Sequence, residues 1–147
     1  MVHLSDSVII NRPVEEVYRI ASDVANHPKY IPYFKKCRVL ARDGTHIFVE
    51  RTAEINGKVF SWLGSIVFEE KNPLFWFQQV DGPLKGMTGE WIFEQVPEGT
   101  KLTITHNVVF KVPVIGKLLE LYAAGNYVSK SAKNTLRSLK ENIEKEK

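Results

Sequence analysis

The stretch IFVERTAEINGKVFSWLGSI, Ile47 to Ile66, reads as a β-hairpin closed on Asn56-Gly57. A two-residue type I′ turn needs positive φ at both positions, which Asn and Gly tolerate best. With that turn, Ile55 lies opposite Lys58, and the ladder runs through Ala53–Phe60, Arg51–Trp62 and Val49–Gly64 to Ile47–Ile66. The odd positions before the turn (Ile47, Val49, Ala53, Ile55) and the even positions after it (Phe60, Trp62, Ile66, Phe68) are the more apolar sets. The ladder places both sets on one face, so turn chemistry and periodicity agree. Arg51 interrupts that face opposite Trp62. Two readings stand: an arginine near a sheet rim whose head reaches water along its stem, or a polar anchor in a cavity, stacked on the indole.

Similar punctuation recurs on both sides of the hairpin. Asp43-Gly44, Lys71-Asn72-Pro73, Gly82-Pro83 and Pro97-Glu98-Gly99, together with Asn56-Gly57, cut Lys35 to Val112 into six β-rich segments, which predicts an antiparallel meander. Met87, Gly89, Trp91 and Phe93 share one strand face. Leu102, Ile104, His106, Val108 and Phe110 share a face of the next, so His106 points with the apolar set as a core histidine or a functional one. Between those strands Pro97-Glu98-Gly99 suggests a three-residue loop with Gly99 left-handed, whereas matching the two apolar faces requires a four-residue loop or a bulge, and the register stays open. Phe75, Trp76 and Phe77 put aromatic rings on both sides of their strand, without a parity that orients Trp76.

Upstream, Val2 to Ile10 alternates loosely as a strand, and Asn11 and Pro13 supply a helix cap and a first-turn proline. Apolar positions from Val14 to Ala25 recur at helical spacing until Pro28 and Pro32 intervene, which predicts two short helices. Downstream, Ile115 to Glu144 carries Leu118, Leu121, Tyr122, Gly125, Val128, Ala132, Leu136, Leu139 and Ile143 on one face and Lys130, Lys133, Arg137, Lys140 and Glu144 on the other. One amphipathic helix of about 40 Å can lie across a whole sheet. Gly125 and Ala132, with Ala124 alongside, leave little side-chain volume at mid-helix, for close packing or for a ligand gap. The element order is β-α-α-β6-α, an α+β class.

The 147 residues, 44% hydrophobic and 25% charged with a net charge of +3, fit one domain spanning 1–147. The single Cys37 forms no internal disulfide, and no signal-like or membrane-length apolar run occurs, so a soluble cytoplasmic protein is expected. His3, His27, His46 and His106 lack ligand-like spacing with one another or with Cys37, which argues against a metal site. Gly82 to Gly89 lacks the phosphate-loop spacings, and no G-x-S-x-G elbow is present. Glu15-Glu16 and Glu69-Glu70 point in different directions and read as solvated. Neither a cofactor nor DNA is expected. Lys29, Lys35, Lys36, Arg38 and Arg42 form a basic patch near Tyr30, Tyr33 and Phe34, a composition shared by mixed surface strips and by sites for RNA or an anionic membrane.

Val8-Ile9-Ile10, Pro13, Val17-Tyr18, Asp23-Val24, Pro28, Tyr30-Ile31-Pro32 and Lys35 to Leu40 together resemble the START-like (SRPBCC, helix-grip) superfamily. The likeness extends to Gly82-Pro83-Leu84, Gly89 to Phe93 and Gly99-Thr100, and is nearest to the coenzyme Q-binding and polyketide cyclase/dehydrase branch. It departs from that branch at Tyr33 and Phe34, where members often carry Trp and Cys. The resemblance implies a seven-stranded curved antiparallel sheet wrapped around the C-terminal helix, with two short helices closing one end and a hydrophobic tunnel between. The function it implies first is non-enzymatic binding or transport of an apolar small molecule, such as an isoprenoid quinone, a fatty acid or another lipid. Arg51 and His106 would form the polar end, and Phe60, Trp62, Trp91, Phe93 and Tyr122 the walls. Two alternatives are a polyketide cyclase, aromatase or dehydrase using His106 or Arg51 in proton transfer or enolate stabilisation, and a ribosome-associated regulator using the basic patch. Transient contact with a membrane surface belongs with the carrier reading.

Overall fold

The fold comes from a computed structural model that describes residues 2–55, 57–108 and 115–146, with the side chains of all of these except 115–127. Seven strands, β1 (Val2–Ile10), β2 (Phe34–Asp43), β3 (His46–Ile55), β4 (Lys58–Glu69), β5 (Leu74–Asp81), β6 (Thr88–Val96) and β7 (Gly99–Val108), form one antiparallel sheet in the order β1-β7-β6-β5-β4-β3-β2. The helices are α1 (Val14–Ser22), α2 (His27–Tyr30) and α3 (Ile115–Glu144). This is the expected α+β helix-grip arrangement.

The β3–β4 ladder follows the register that the turn dictates, from Ile55–Lys58 through Arg51–Trp62 to Ile47–Ile66. Gly57 has a φ of 78°, while the Asn56 half of the turn lies outside the described residues. Ile47, Val49, Ala53 and Ile66 are buried on the inner face. The β6–β7 register resolves in favour of the matched faces: Trp91 pairs with Ile104 and Phe93 with Leu102. The ladder then continues to Val96–Gly99, leaving a two-residue turn of Pro97-Glu98 in place of the three-residue loop. Gly99 is not left-handed helical but sits at a φ of 139°, where a Cβ would lie 2.3 Å from the Ile10 carbonyl oxygen. The strand end can therefore approach β1 only without a side chain. On β5 the parity is now plain: Phe75 is buried and Trp76 faces outward.

Asn11 does not cap α1. Pro13 holds the cap position in an extended conformation, and the Asn11 backbone N–H donates instead to Glu144 Oε2 at 2.8 Å, tying the strand exit to the end of α3. Glu15 and Glu16 in the first turn and Arg19 in the last complement the helix dipole. Val17, Tyr18, Ile20 and Ala21 bury one face against the sheet. The proline-interrupted stretch after α1 becomes a three-residue 3₁₀ turn, Val24–Asn26, followed by the single turn of α2.

On α3 the helix-spaced Val128, Ala132, Leu136, Leu139 and Ile143 are buried. Phe110, Leu118, Leu121, Tyr122, Ala124 and Gly125 lie outside the described side chains. Among the described residues, core packing gathers where α1 and the second half of α3 meet the sheet. Toward the β3–β4 hairpin the two layers separate and leave a cavity.

Candidate functional site: a cavity with one buried cation

The cavity has a volume of about 420 Å³, within the size range of small-molecule sites. Its wall includes Arg51, Phe60, Trp62, Trp91 and His106, five of the residues proposed from the sequence. Phe93, two ladder pairs further along β6 from Trp91, lies outside the lining. Its ring packs 5.1 Å from Tyr18 and 5.9 Å from Phe75 in the core beneath α1. Tyr122 falls among the α3 side chains that are not described. Ala132 lines the cavity, so at that position small volume on the helix gives space.

Arg51 reaches the cavity wall from the middle of β3 with only 7% of its surface exposed, so its head does not reach water at a rim. The guanidinium lies over the Phe34 ring, 4.6 Å from its centroid, and it is this ring that provides the stacking expected of Trp62. Nη1 donates to His27 Nδ1 at 3.0 Å and to Cys37 Sγ at 3.5 Å. Among the described residues no carboxylate comes within ion-pair distance of Arg51. Burial lowers its pKa, but a guanidinium keeps its proton in a protein, so the fold holds a cation here with no carboxylate partner among the described residues.

His27 and Cys37, which periodicity does not single out, complete this end. His27 is fully buried, stacked between Trp91 at 5.6 Å and Phe34 at 6.0 Å. Its Nε2 lies 2.7 Å from the Ala21 carbonyl oxygen, which can only accept, so Nε2 carries the proton and Nδ1 accepts from Arg51. Burial, then the charge of Arg51, push the His27 pKa down to about 3, against the opposing pull of the Ala21 carbonyl. Burial raises the Cys37 thiol pKa, with Arg51 opposing. Phe34 and Cys37 are three residues apart and would face opposite sides of a regular strand. A bulge between Phe34 and Lys36 brings both inward beneath Arg51.

His106 forms another polar point on the wall. Its β6 partner is Gly89, where a Cβ would lie 2.0 Å from the Thr105 carbonyl oxygen and 2.5 Å from Phe77 Cζ. Glycine therefore lets the Phe77 ring cross the ladder and meet His106 edge-on at 5.3 Å. Burial alone pushes the His106 pKa down to about 4, and its Nδ1 is buried with no hydrogen-bond partner. Ser131 Oγ on α3 is the second such atom among the described residues, and Ser131 also lines the cavity. Gln79, at the far end, is occupied: its Oε1 accepts from the Leu84 N–H at 2.6 Å and anchors the β5–β6 loop.

The basic patch separates into different settings. Lys36 and Arg38 reach Glu50 at 3.6 and 3.4 Å, and Lys29 lies over Tyr30. Phe34 is buried and the Tyr33 hydroxyl hydrogen-bonds Thr135 on α3, so both rings turn away from those cations. Among the described residues no group of three or more metal-ligating side chains occurs, and no helix is long and apolar enough to cross a membrane.

Comparison with known proteins agrees with this architecture. A candidate polyketide cyclase of Streptomyces cyaneus is 26% identical over 112 residues, 74% of this chain and 74% of that protein. The crystal structure of the Zhui aromatase/cyclase from Streptomyces sp. R1128 superposes with a TM-score of 0.85 at 18% identity, covering 97% of this chain and 93% of the other. A START superfamily protein from Mycobacterium smegmatis superposes at 0.78 with 19% identity and 97% coverage of both chains. At these identities the two structures speak for the shared fold. The family model for polyketide cyclase/dehydrase and lipid transport matches residues 10–125, from the end of β1 into α3, and the chain belongs to that family.

Proposed function

We propose that the protein binds a hydrophobic small molecule in the cavity between sheet and α3, with an electron-rich oxygen of the ligand seated on Arg51. The carrying observation is that both unpartnered buried polar atoms among the described residues, His106 Nδ1 and Ser131 Oγ, belong to residues lining the cavity that Arg51 also lines. Buried polar groups are normally paired, so such atoms gathered at one cavity mark where a ligand supplies partners. Affinity comes from burying apolar surface, at about 25 cal/mol per Å², and orientation from the few polar groups. Quinones, fatty acids and other lipids carry suitable oxygens.

The test compares binding of decanoic acid and decane to wild-type protein and to Arg51→Met. The variant is expected to lose about 10- to 100-fold in affinity for the acid, as for a lost charge-assisted hydrogen bond, and little for decane. Because it removes a buried cation with no carboxylate partner among the described residues, its melting temperature should match or exceed the wild type, although His27 Nδ1 loses its donor. Equal losses for both probes would contradict the anchoring role, and binding of neither by wild type would remove the cavity reading.

A cyclase or dehydrase reading draws on the same cavity and on the family match. His106 is neutral with a ring nitrogen that has no partner, so it can exchange a proton with a substrate, although burial weakens it as a base, and Arg51 is a fixed cation of the kind that stabilises an enolate. Turnover of a poly-β-keto substrate, abolished in His106→Phe with binding retained, separates catalysis from carriage.

A further inference from the structure

At the hairpin end the cavity adjoins a second hollow of about 380 Å³, and the two share Tyr33, Ile55 and Ser131 as walls. The chemistry changes across that boundary. The outer hollow is bordered by Lys130, Lys133 and Arg137 of α3, with Asn134 between them and Glu54 of β3 opposite. The three cations are spaced i, i+3, i+7, which places them in one stripe spanning about 10 Å of helix. Like charges at this spacing repel and weaken a helix. Among the described residues none of the three has a carboxylate within ion-pair distance, whereas Lys140, one turn further on, is held by Glu144 at 2.8 Å and by the Ile9 carbonyl at 2.6 Å. Three cations without a carboxylate partner among the described residues, and one carboxylate, thus border a hollow that shares walls with the apolar cavity.

We infer that this vestibule is an anion subsite for the cavity's own ligand, and that it takes a phosphate group attached to a hydrophobic body lodged inside. The inference rests on the proposed cavity binding and adds the class of ligand: a phosphate-bearing amphiphile. The shared walls set the two hollows side by side, within reach of the two ends of one molecule. Three cations whose long side chains can converge offer more donors and charge than the two oxygens and single charge of a carboxylate use, while a phosphate offers several acceptor oxygens and up to two charges, and the planar fork of Arg137 suits it. Arg51, deep in the wall and already bonded to His27, is a separate point on the same path and serves the ligand's buried oxygen.

The experiment titrates decyl phosphate and decanol, each below its aggregation concentration, into wild-type protein and into Lys130→Gln/Lys133→Gln/Arg137→Gln. Wild type is expected to bind decyl phosphate roughly tenfold more tightly than decanol at low salt, the sum of three modest exposed ion pairs, with the advantage shrinking as salt rises. The triple variant should lose most of that advantage and keep its decanol affinity within about twofold, which also reports that it is folded. Decanol binding with no phosphate advantage overturns the vestibule but leaves the cavity standing. An advantage that survives in the triple variant and disappears in Arg51→Gln places the phosphate inside and overturns the assignment too. If wild type binds neither probe, the cavity reading fails and the vestibule with it.

Discussion

His106 and His27 are held neutral by burial, with pKa values pushed down to about 4 and about 3, while an unfolded chain titrates histidine near 6.5. Below pH 6.5 the unfolded state therefore binds up to two more protons than the folded state. Stability contributed by neutral burial is complete above pH 6.5 and falls as pH falls toward 4, by at most ~1.4 kcal/mol per pH unit for each histidine. Urea unfolding between pH 7 and pH 5 should show this decline, and His106→Phe should roughly halve its slope. A flat wild-type profile would contradict both neutral assignments. The two histidines differ in how far periodicity reveals them. His106 shares a strand parity with Leu102 and Ile104, so its direction is readable before any coordinates. His27 begins a single helical turn next to Pro28, where no repeat is long enough to define a face, and its stacking between Phe34 and Trp91 needs β6, an element far away in the chain.

At the scale of elements, the β3–β4 hairpin was readable because a turn motif and a two-residue period independently demand one register. The β6–β7 faces were equally readable, but the loop was not: a proline and a glycine flank Glu98, and only the close approach of Gly99 to Ile10 decides where pairing stops. Strand parity also cannot tell a cavity wall from the core. Trp91 and Phe93 point the same way, and what separates them is α1, whose Tyr18 covers Phe93. The bulge at Phe34 has no local motif at all, yet it builds the floor beneath Arg51. One element-level prediction concerns the β5–β6–β7 crossing. Gly89→Ala would drive a methyl group into the Thr105 carbonyl and the Phe77 ring, both too close to yield without moving a strand. We expect a loss of more than about 2 kcal/mol in unfolding experiments, with His106 displaced. A variant of wild-type stability would show that this crossing is looser than described.

For the whole molecule, the cavity sets how ligand and fold depend on each other. The sheet and α3 pack tightly at the α1 end and stand apart at the hairpin end, so the protein carries unfilled space that a ligand can convert into contact. A ligand at 100 times its dissociation constant should add ~2.7 kcal/mol of stability. Thermal unfolding with decanol at that ratio should show a clear upward shift, and Ala132→Phe, whose ring would occupy the same space, should abolish most of the shift while the free protein still unfolds cooperatively. An undiminished shift in that variant would place decanol elsewhere. The strand order has another consequence, for timing on the ribosome. β1 pairs only with β7, Val2 with Val108, while every other strand meets a sequence neighbour. At about 5–20 residues per second, roughly 5–20 s of synthesis separate the emergence of β1 from that of its partner. The meander can assemble hairpin by hairpin during this interval, so the earliest of these seven strands to be translated is the last of them to be paired.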